Sequence, residues 1–156
     1  MKAVSLREIK KELNTLSAQE IQELCLRLSR FKKENKELLT YLLFESHNES
    51  GYIERVKSYM DDEFELINRD SYFYIRKSVR KILRNVKKFI RYSQKKETEV
   101  ELLLYFCEKL KDFKPSISRS TQLQNTFDRQ LLLSKKIIST LHEDLQYDYN
   151  VMLEEL

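Results

Sequence analysis

Hydrophobic residues recur along this chain at steps of three and four, the spacing of one face of an α-helix. Leu6, Ile9 and Leu13 form a first short stripe. It is preceded by Ser5 with Glu8 three residues on, a capping box in which each side chain satisfies a free backbone N–H at the helix start. Asn14-Thr15 interrupts the stripe, and Ser17 with Glu20 repeats the signal ahead of Ile21, Leu24, Cys25, Leu28 and Phe31. Leu38, Leu39, Leu42 and Leu43 predict a third helix ending near Ser46, and His47-Asn48-Glu49-Ser50-Gly51 reads as a polar loop. Further helices are predicted over 52–68, with Ile53, Val56, Met60, Phe64 and Ile67 inward, over 71–93, and over 96–113 through Val100, Leu103, Leu104, Cys107 and Leu110. Lys114-Pro115-Ser116 forces a break, because proline disfavours helix in the residue before it. The last stripe runs Leu123, Phe127, Leu131, Ser134, Ile138, Leu141, Leu145, Tyr149, Met152, Leu156. A continuous helix through it, some 35 residues long, would span about 50 Å. That exceeds what a small bundle needs, so the helix lies across the whole domain, breaks near His142, or protrudes toward a partner.

The expected fold is all-α: an irregular antiparallel bundle of six to seven helices in a single domain, 1–156, with a long C-terminal helix over 116–156 against a bundle of 1–114. The first four helices are expected to supply most of the core. Phe127, Leu131, Ile138 and Leu145 mark where a homodimer would self-associate. Composition supports the class. One glycine cannot supply a Gly-rich dinucleotide loop, a P-loop or a nucleophile elbow, and with one proline the turns of a β-sandwich or barrel are missing too. No apolar run approaches the length of a membrane span. The first eight residues turn charged before the apolar core of a signal peptide forms, so a cytoplasmic location is expected. Cys25 and Cys107 then read as two buried free thiols, with no disulfide and no zinc site.

Charge changes the picture more. Between Ser71 and Lys96 stand ten basic residues and no acidic one, a segment of +10 in a chain of net +4. On a wheel at about 100° per residue, Ile75, Val79, Ile82, Leu83, Val86, Phe89 and Ile90 share one side. Arg76, Lys77, Arg80, Lys81, Arg84, Lys87, Lys88 and Arg91 cover the other. Like charges at i+3 and i+4 repel, so something offsets them. One reading is internal: the acidic knot Asp61-Asp62-Glu63 with Glu65, or Glu97, Glu99 and Glu101, pairs with the face. The other is an anionic partner. A lysine/arginine stripe neutralises phosphates and releases counterions, and Tyr74 and Tyr92 at one edge suit base stacking. Arg30, Lys32, Lys33 and Lys36 would widen the patch if the fold brought them close. A membrane surface is disfavoured, because a mid-chain helix uses its apolar side for packing.

Catalytic chemistry is thin. His47 and His142 have acidic neighbours but neither the paired histidines of a zinc protease nor the Glu-x-x-His pairs of a di-iron bundle, and read as surface residues at helix ends. The expectation is a non-enzymatic protein with no cofactor, no metal and no small-molecule substrate, working as a binding module for nucleic acid or an acidic protein surface, or alternatively as an interaction or scaffold protein.

Leu6-Arg7-Glu8-Ile9-Lys10-Lys11-Glu12-Leu13, Leu16-Ser17, Glu20-Ile21-Gln22-Glu23-Leu24 and Phe31-Lys32-Lys33-Glu34-Asn35-Lys36-Glu37 resemble the start of a family of small all-helical bacterial proteins of unknown function. Arg76-Lys77-Ser78-Val79, Lys87-Lys88-Phe89-Ile90 and Glu101-Leu102-Leu103-Leu104-Tyr105-Phe106 are similar to its middle. The resemblance implies a bacterial, cytosolic, all-α protein. It implies no functional residue.

Overall fold

The computed structural model describes all 156 residues. They form eight α-helices and no strand: α1 (Leu6–Leu13), α2 (Ala18–Phe31), α3 (Lys33–Thr40), α4 (Glu49–Glu65), α5 (Tyr72–Ser93), α6 (Lys96–Asp112), α7 (Thr121–Ile138) and α8 (Glu143–Glu154). A π-helical turn at Tyr41–Glu45 and a 3₁₀ turn at Ile117–Arg119 complete the set. The chain divides into two compact units, Met1–Phe44 and Glu45–Leu156, where one domain was expected.

In the first unit both capping boxes form. The Ser5 N–H donates to Glu8 Oε2 at 2.9 Å and the Ser17 N–H to Glu20 Oε2 at 2.8 Å, with each serine Oγ accepting in return. The periodicity therefore placed these helices correctly, but not their burial. No residue of α1, α2 or α3 is buried, and Leu6, Phe31 and Phe44 are 84%, 78% and 67% exposed. Cys25 is exposed, which corrects its reading as a core thiol; Cys107 is buried and free as expected.

The core belongs to the second unit, so the expectation that the first four helices carry it is overturned. Its hub is α6, whose buried residues Thr98, Val100, Leu102, Leu103, Leu104, Phe106, Cys107 and Leu110 take up most of its circumference, leaving one polar side with Glu97, Glu101 and Glu108. A helix with so wide an apolar surface has to be covered from several sides. The helices α4, α5, α7 and α8 pack against it. From α4 come Ile53, Val56, Met60 and Phe64; from α5 come Ile75, Val79, Ile82, Val86 and Ile90. Polar ties set the register of α4 against α5. The Tyr52 hydroxyl donates to the Phe89 carbonyl at 2.9 Å, Asn85 Nδ2 to the Tyr59 hydroxyl at 2.6 Å, and Lys81 Nζ to Glu63 Oε2 at 3.0 Å. Numbers rise on α4 as they fall on α5, so these two helices run in opposite directions.

Two boundaries differ from the sequence reading. Helix α4 starts at Glu49, not at Tyr52, because Asn48 caps it: its Oδ1 accepts the Gly51 N–H at 3.0 Å. Gly51 is thereby helical and not a loop residue, and a Cβ there would sit 2.6 Å from Asn48 Nδ2. The long C-terminal helix is broken, just before His142. Ser139 Oγ and Thr140 Oγ1 donate to the carbonyls of Lys136 and Ile137 at 2.7 and 2.8 Å, and these local hydroxyl bonds compete with helix propagation. His142 then caps α8, its Nδ1 accepting the Asp144 N–H at 3.4 Å. This break supplies the eighth helix.

Candidate functional site

Helix α5 exists because its apolar residues keep a helical register over six turns, and its burial follows the wheel. Ile75, Val79, Ile82, Val86 and Ile90 are buried; Lys77, Arg80, Lys81, Arg84, Lys87 and Arg91 are exposed, with Arg76 and Lys88 half-buried. Internal neutralisation reaches little of this face. Lys81 pairs with Glu63 at 3.0 Å, and the hydrogen bond and charge of Glu63 hold its ammonium above the ordinary lysine value. Lys95, beyond the helix, pairs with Glu49 at 2.9 Å. Arg76, Lys77, Arg80, Arg84, Lys87 and Arg91 form no ion pair. The Lys88 ammonium lies 5.1 Å from the Phe89 ring centroid.

Of the acids expected to neutralise the face, Glu63 reaches it through Lys81, and Asp61 and Glu101 pair elsewhere. Asp61 accepts from the Tyr105 hydroxyl and pairs with Lys109 Nζ, both at 2.7 Å, across the seam between α4 and α6. Partial burial works against the Asp61 charge, but these two donors outweigh it and hold its carboxyl below the usual aspartate value. Burial, and then Asp61 itself, push the Tyr105 phenol well above its ordinary value. Glu101 pairs with Lys57 at 2.7 Å on the same seam, and Glu97 and Glu99 make no ion pair.

The unpaired cations are not evenly spread. Arg80, Arg84, Lys87 and Arg91 line one wall of an open groove of about 510 Å³ between α5 and α7, with Leu83 at its apolar edge. The facing wall is Arg129, with Thr126 and Gln130. Arg129 is exposed and also lacks an ion pair, so five guanidinium and ammonium groups converge on one depression with no carboxylate among its lining residues. Gln130 is only 5% exposed. Its Nε2 donates to the Thr126 carbonyl at 3.3 Å, and its Oε1 has no hydrogen-bond partner.

Sequence periodicity missed the α7 wall. The stripe runs through Leu123, Phe127, Leu131, Ser134 and Ile138, and the structure buries four of these five but has Gln130 buried in place of Leu131. A glutamine at a buried position was the available signal, since a polar group taken from water needs a partner.

The tyrosines stand apart from the groove. Tyr74 and Tyr92 are eighteen residues apart, so they share an azimuth on α5 but sit about 27 Å apart along it. That azimuth is on the α4 side, turned about 110° from the groove wall at about 100° per residue. Tyr74 is 47% exposed and packs edge-on to Phe73, with centroids 5.5 Å apart; Tyr92 is half-buried against Phe89 at 6.2 Å. They do not line the depression as a pair. Arg30, Lys32, Lys33 and Lys36 belong to the first unit, where Lys33 pairs with Glu37 at 3.6 Å.

The expected self-association seam is occupied. Ile138 is 2% and Phe127 8% exposed. Ile138 packs with Val100, Leu104 and Tyr149, and Leu131 and Leu145 flank that cluster. Breaking the last segment lets α7 and α8 fold their apolar faces back onto α6, so these four residues serve the protomer's own core. His47 and His142 are exposed at helix ends, and no group of three or more His, Cys, Asp or Glu side chains is gathered as metal ligands would be. No helix is long and apolar enough to cross a membrane. The chain matches no protein-family model, no curated protein and no solved structure at a significant level.

Proposed function

We propose that this protein is a non-enzymatic binding module whose basic helix, 71–96, contacts an anionic partner, nucleic acid or an acidic protein surface. One observation carries the reading. Six of the eight cations on the exposed side of α5 have no ion pair, and four of them converge with Arg129 on one groove. A face that only needed solubility would mix both signs of charge, whereas this one concentrates a single sign, which attracts and steers anions. The reading includes a cytoplasmic setting and sequential helices that alternate in direction.

The test is a fluorescence-anisotropy titration of labelled duplex DNA, single-stranded DNA, RNA and a poly-glutamate peptide, at low and near-physiological salt. Binding is expected to weaken steeply with salt. It is expected to collapse when Arg80, Arg84, Lys87 and Lys88 are changed together to glutamate. Absence of binding to every anion at low salt would sink the proposal. The competing reading, a scaffold or homodimer joined through the C-terminal segment, has less support, because Phe127 and Ile138 are buried within the protomer.

A further inference from the structure

The first unit carries regular apolar stripes that nothing in it covers. Leu6, Ile9 and Leu13 of α1 are 84%, 42% and 37% exposed, and Ile21, Leu24, Leu28 and Phe31 of α2 are 36%, 40%, 60% and 78% exposed. At about 190 Å² for a fully exposed large apolar residue, these seven leave on the order of 700 Å² in water. That exceeds the largest apolar patch of an ordinary monomer, about 300–600 Å², and comes close to the roughly 800 Å² that each partner gives a stable interface. The helices have little else to hold them. At 8, 14 and 8 residues, α1, α2 and α3 lie at or below the length that is marginal for an isolated helix, about 12–15 residues.

Charge identifies the cover. On a wheel at about 100° per residue, Lys10 and Arg7 lie on one flank of the α1 stripe, about 70° and 130° from its centre, and Glu12 and Glu8 lie on the other, about 90° and 130° away. Arg7, Lys10 and Glu12 form no ion pair within the protomer. The acidic flank borders an open groove of about 560 Å³, with Ile9 and Leu13 on the α1 side and Leu16 and Leu24 beyond. Its charged lining is Glu8, Glu12 and Lys11, a net negative set. What fits there is an apolar stripe with a basic flank, and α1 itself is such an element. A two-fold interface brings one surface against its own copy. With two copies of α1 parallel about an axis along the helices, the basic flank of each meets the acidic flank and groove of the other. An antiparallel pair would set like flank against like. We infer that the first unit is a homodimerisation surface, in which α1 of a second copy seats in the groove beside α1, parallel to it, with Lys10 of each copy beside Glu12 of the other. This surface is distinct from the C-terminal stripe, and the inference does not rest on the anionic-partner reading of α5.

The test is sedimentation equilibrium of the full chain, with energy transfer between differently labelled copies as a second readout. A mass of twice 19.0 kDa is expected at micromolar concentration. Leu6→Gln/Leu13→Gln exchanges only exposed side chains and is expected to weaken the dimer about a hundredfold, roughly tenfold for each leucine. Lys10→Glu and Glu12→Lys each set like charges across the two-fold axis, twice per dimer, and each is expected to weaken it about three- to tenfold. Mixed in equal amounts, the two charge variants are expected to recover the original affinity, because each then meets its opposite. If the leucine exchange melts α1, the charge mixture still decides, since it keeps every apolar residue. A monomer at the highest soluble concentration would overturn the proposal. So would a dimer indifferent to the leucine exchange, or a mixture no tighter than either variant alone. Vesicles of phosphatidylcholine and phosphatidylglycerol complete the test: a monomer that binds them through Leu6 and Leu13 would assign the face to a membrane surface and overturn the dimer.

Discussion

Glu49 ties three elements of the second unit together, and removing its carboxylate should cost more than any surface substitution. It stands in the first turn of α4 and accepts from Ser93 Oγ, from Thr98 Oγ1 at 2.6 Å and from Lys95 Nζ at 2.9 Å. Those donors flank the left-handed Gln94 (φ 58°), where α5 turns into α6. Ser93 and Thr98 are 9% and 1% exposed, so Glu49→Ala takes a charged acceptor from two buried hydroxyls. A hydrogen bond to a charged acceptor contributes about 1.5–3 kcal/mol. The half-exposed Lys95 pair adds about 0–1 kcal/mol. Allowing for the good helix propensity of alanine, the loss is about 3–5 kcal/mol, or some 15 °C in Tm at about 4 °C per kcal/mol. Urea denaturation followed by circular dichroism measures it. The decisive comparison repeats Glu49→Ala in a Ser93→Ala/Thr98→Val background, where no hydroxyl is left to orphan and the further cost should fall below about 1 kcal/mol. An undiminished cost in that background would refute the hydrogen-bond account and leave the helix N-terminus as the cause.

Other outcomes follow from single environments. Burial, with the Asp128 charge, pushes the Cys107 thiol up to about 12, while Cys25 is exposed. A thiol-disulfide reagent at pH 8 should therefore titrate one cysteine at once and the second only on unfolding; two fast thiols would contradict the packing around α6. Asp61 has its carboxyl lowered in the folded state, so it contributes stability above the ordinary aspartate value of 3.8, and that contribution is lost as pH falls through the lower folded value. Asp61→Asn should flatten the acid limb of a Tm–pH profile below about pH 4, and an unchanged limb would show that the Lys109 and Tyr105 contacts are not coupled to folding. Gly51→Ala should fail to deliver the ~1 kcal/mol that the exchange gives in a helix, because its Cβ displaces the Asn48 cap, yet should deliver it in an Asn48→Ala background. Ile138→Ala should lose about 2–5 kcal/mol as a core truncation without changing the sedimentation coefficient of the folded protein; a shift to a smaller species would restore the dimer seam.

What the sequence made legible was whatever depends on neighbours along the chain. The capping boxes at Ser5 and Ser17, the break at Pro115 and the two-sidedness of α5 are local, with partners within four residues, and each lies where periodicity put it. Burial is not local. Leu6, Ile9 and Leu13 keep as regular a stripe as Val79, Ile82 and Val86, yet the first three stay exposed and the last three are buried. Periodicity says which side of a helix would be covered, and a tertiary neighbour decides whether it is. The same limit hid half of the groove. Arg80, Arg84, Lys87 and Arg91 announce themselves on one helix, but Arg129 stands 38 residues beyond Arg91 and joins them only because α5 and α7 both lie against α6.

That shared dependence on α6 bears on why the cations are tolerated. Pairs such as Arg80–Arg84 and Lys87–Arg91 each cost the isolated helix about 0.2–0.5 kcal/mol, so the face as a whole sets one or two kcal/mol against folding. The buried side of α5, with five aliphatic residues at less than a tenth exposure, outweighs this several times over at about 1.5–3 kcal/mol each. The repulsion therefore survives without threatening the fold. Had stability alone shaped the surface, glutamates interspersed on α5 would have removed the cost. Instead Asp61 of α4 pairs with Lys109 of α6, Glu63 reaches Lys81 and Glu49 reaches Lys95, and none of these acids lines the groove. The uncompensated charge is concentrated where Arg129 also lies. Anionic groups entering there would relieve that repulsion without disturbing the buried side of the helix.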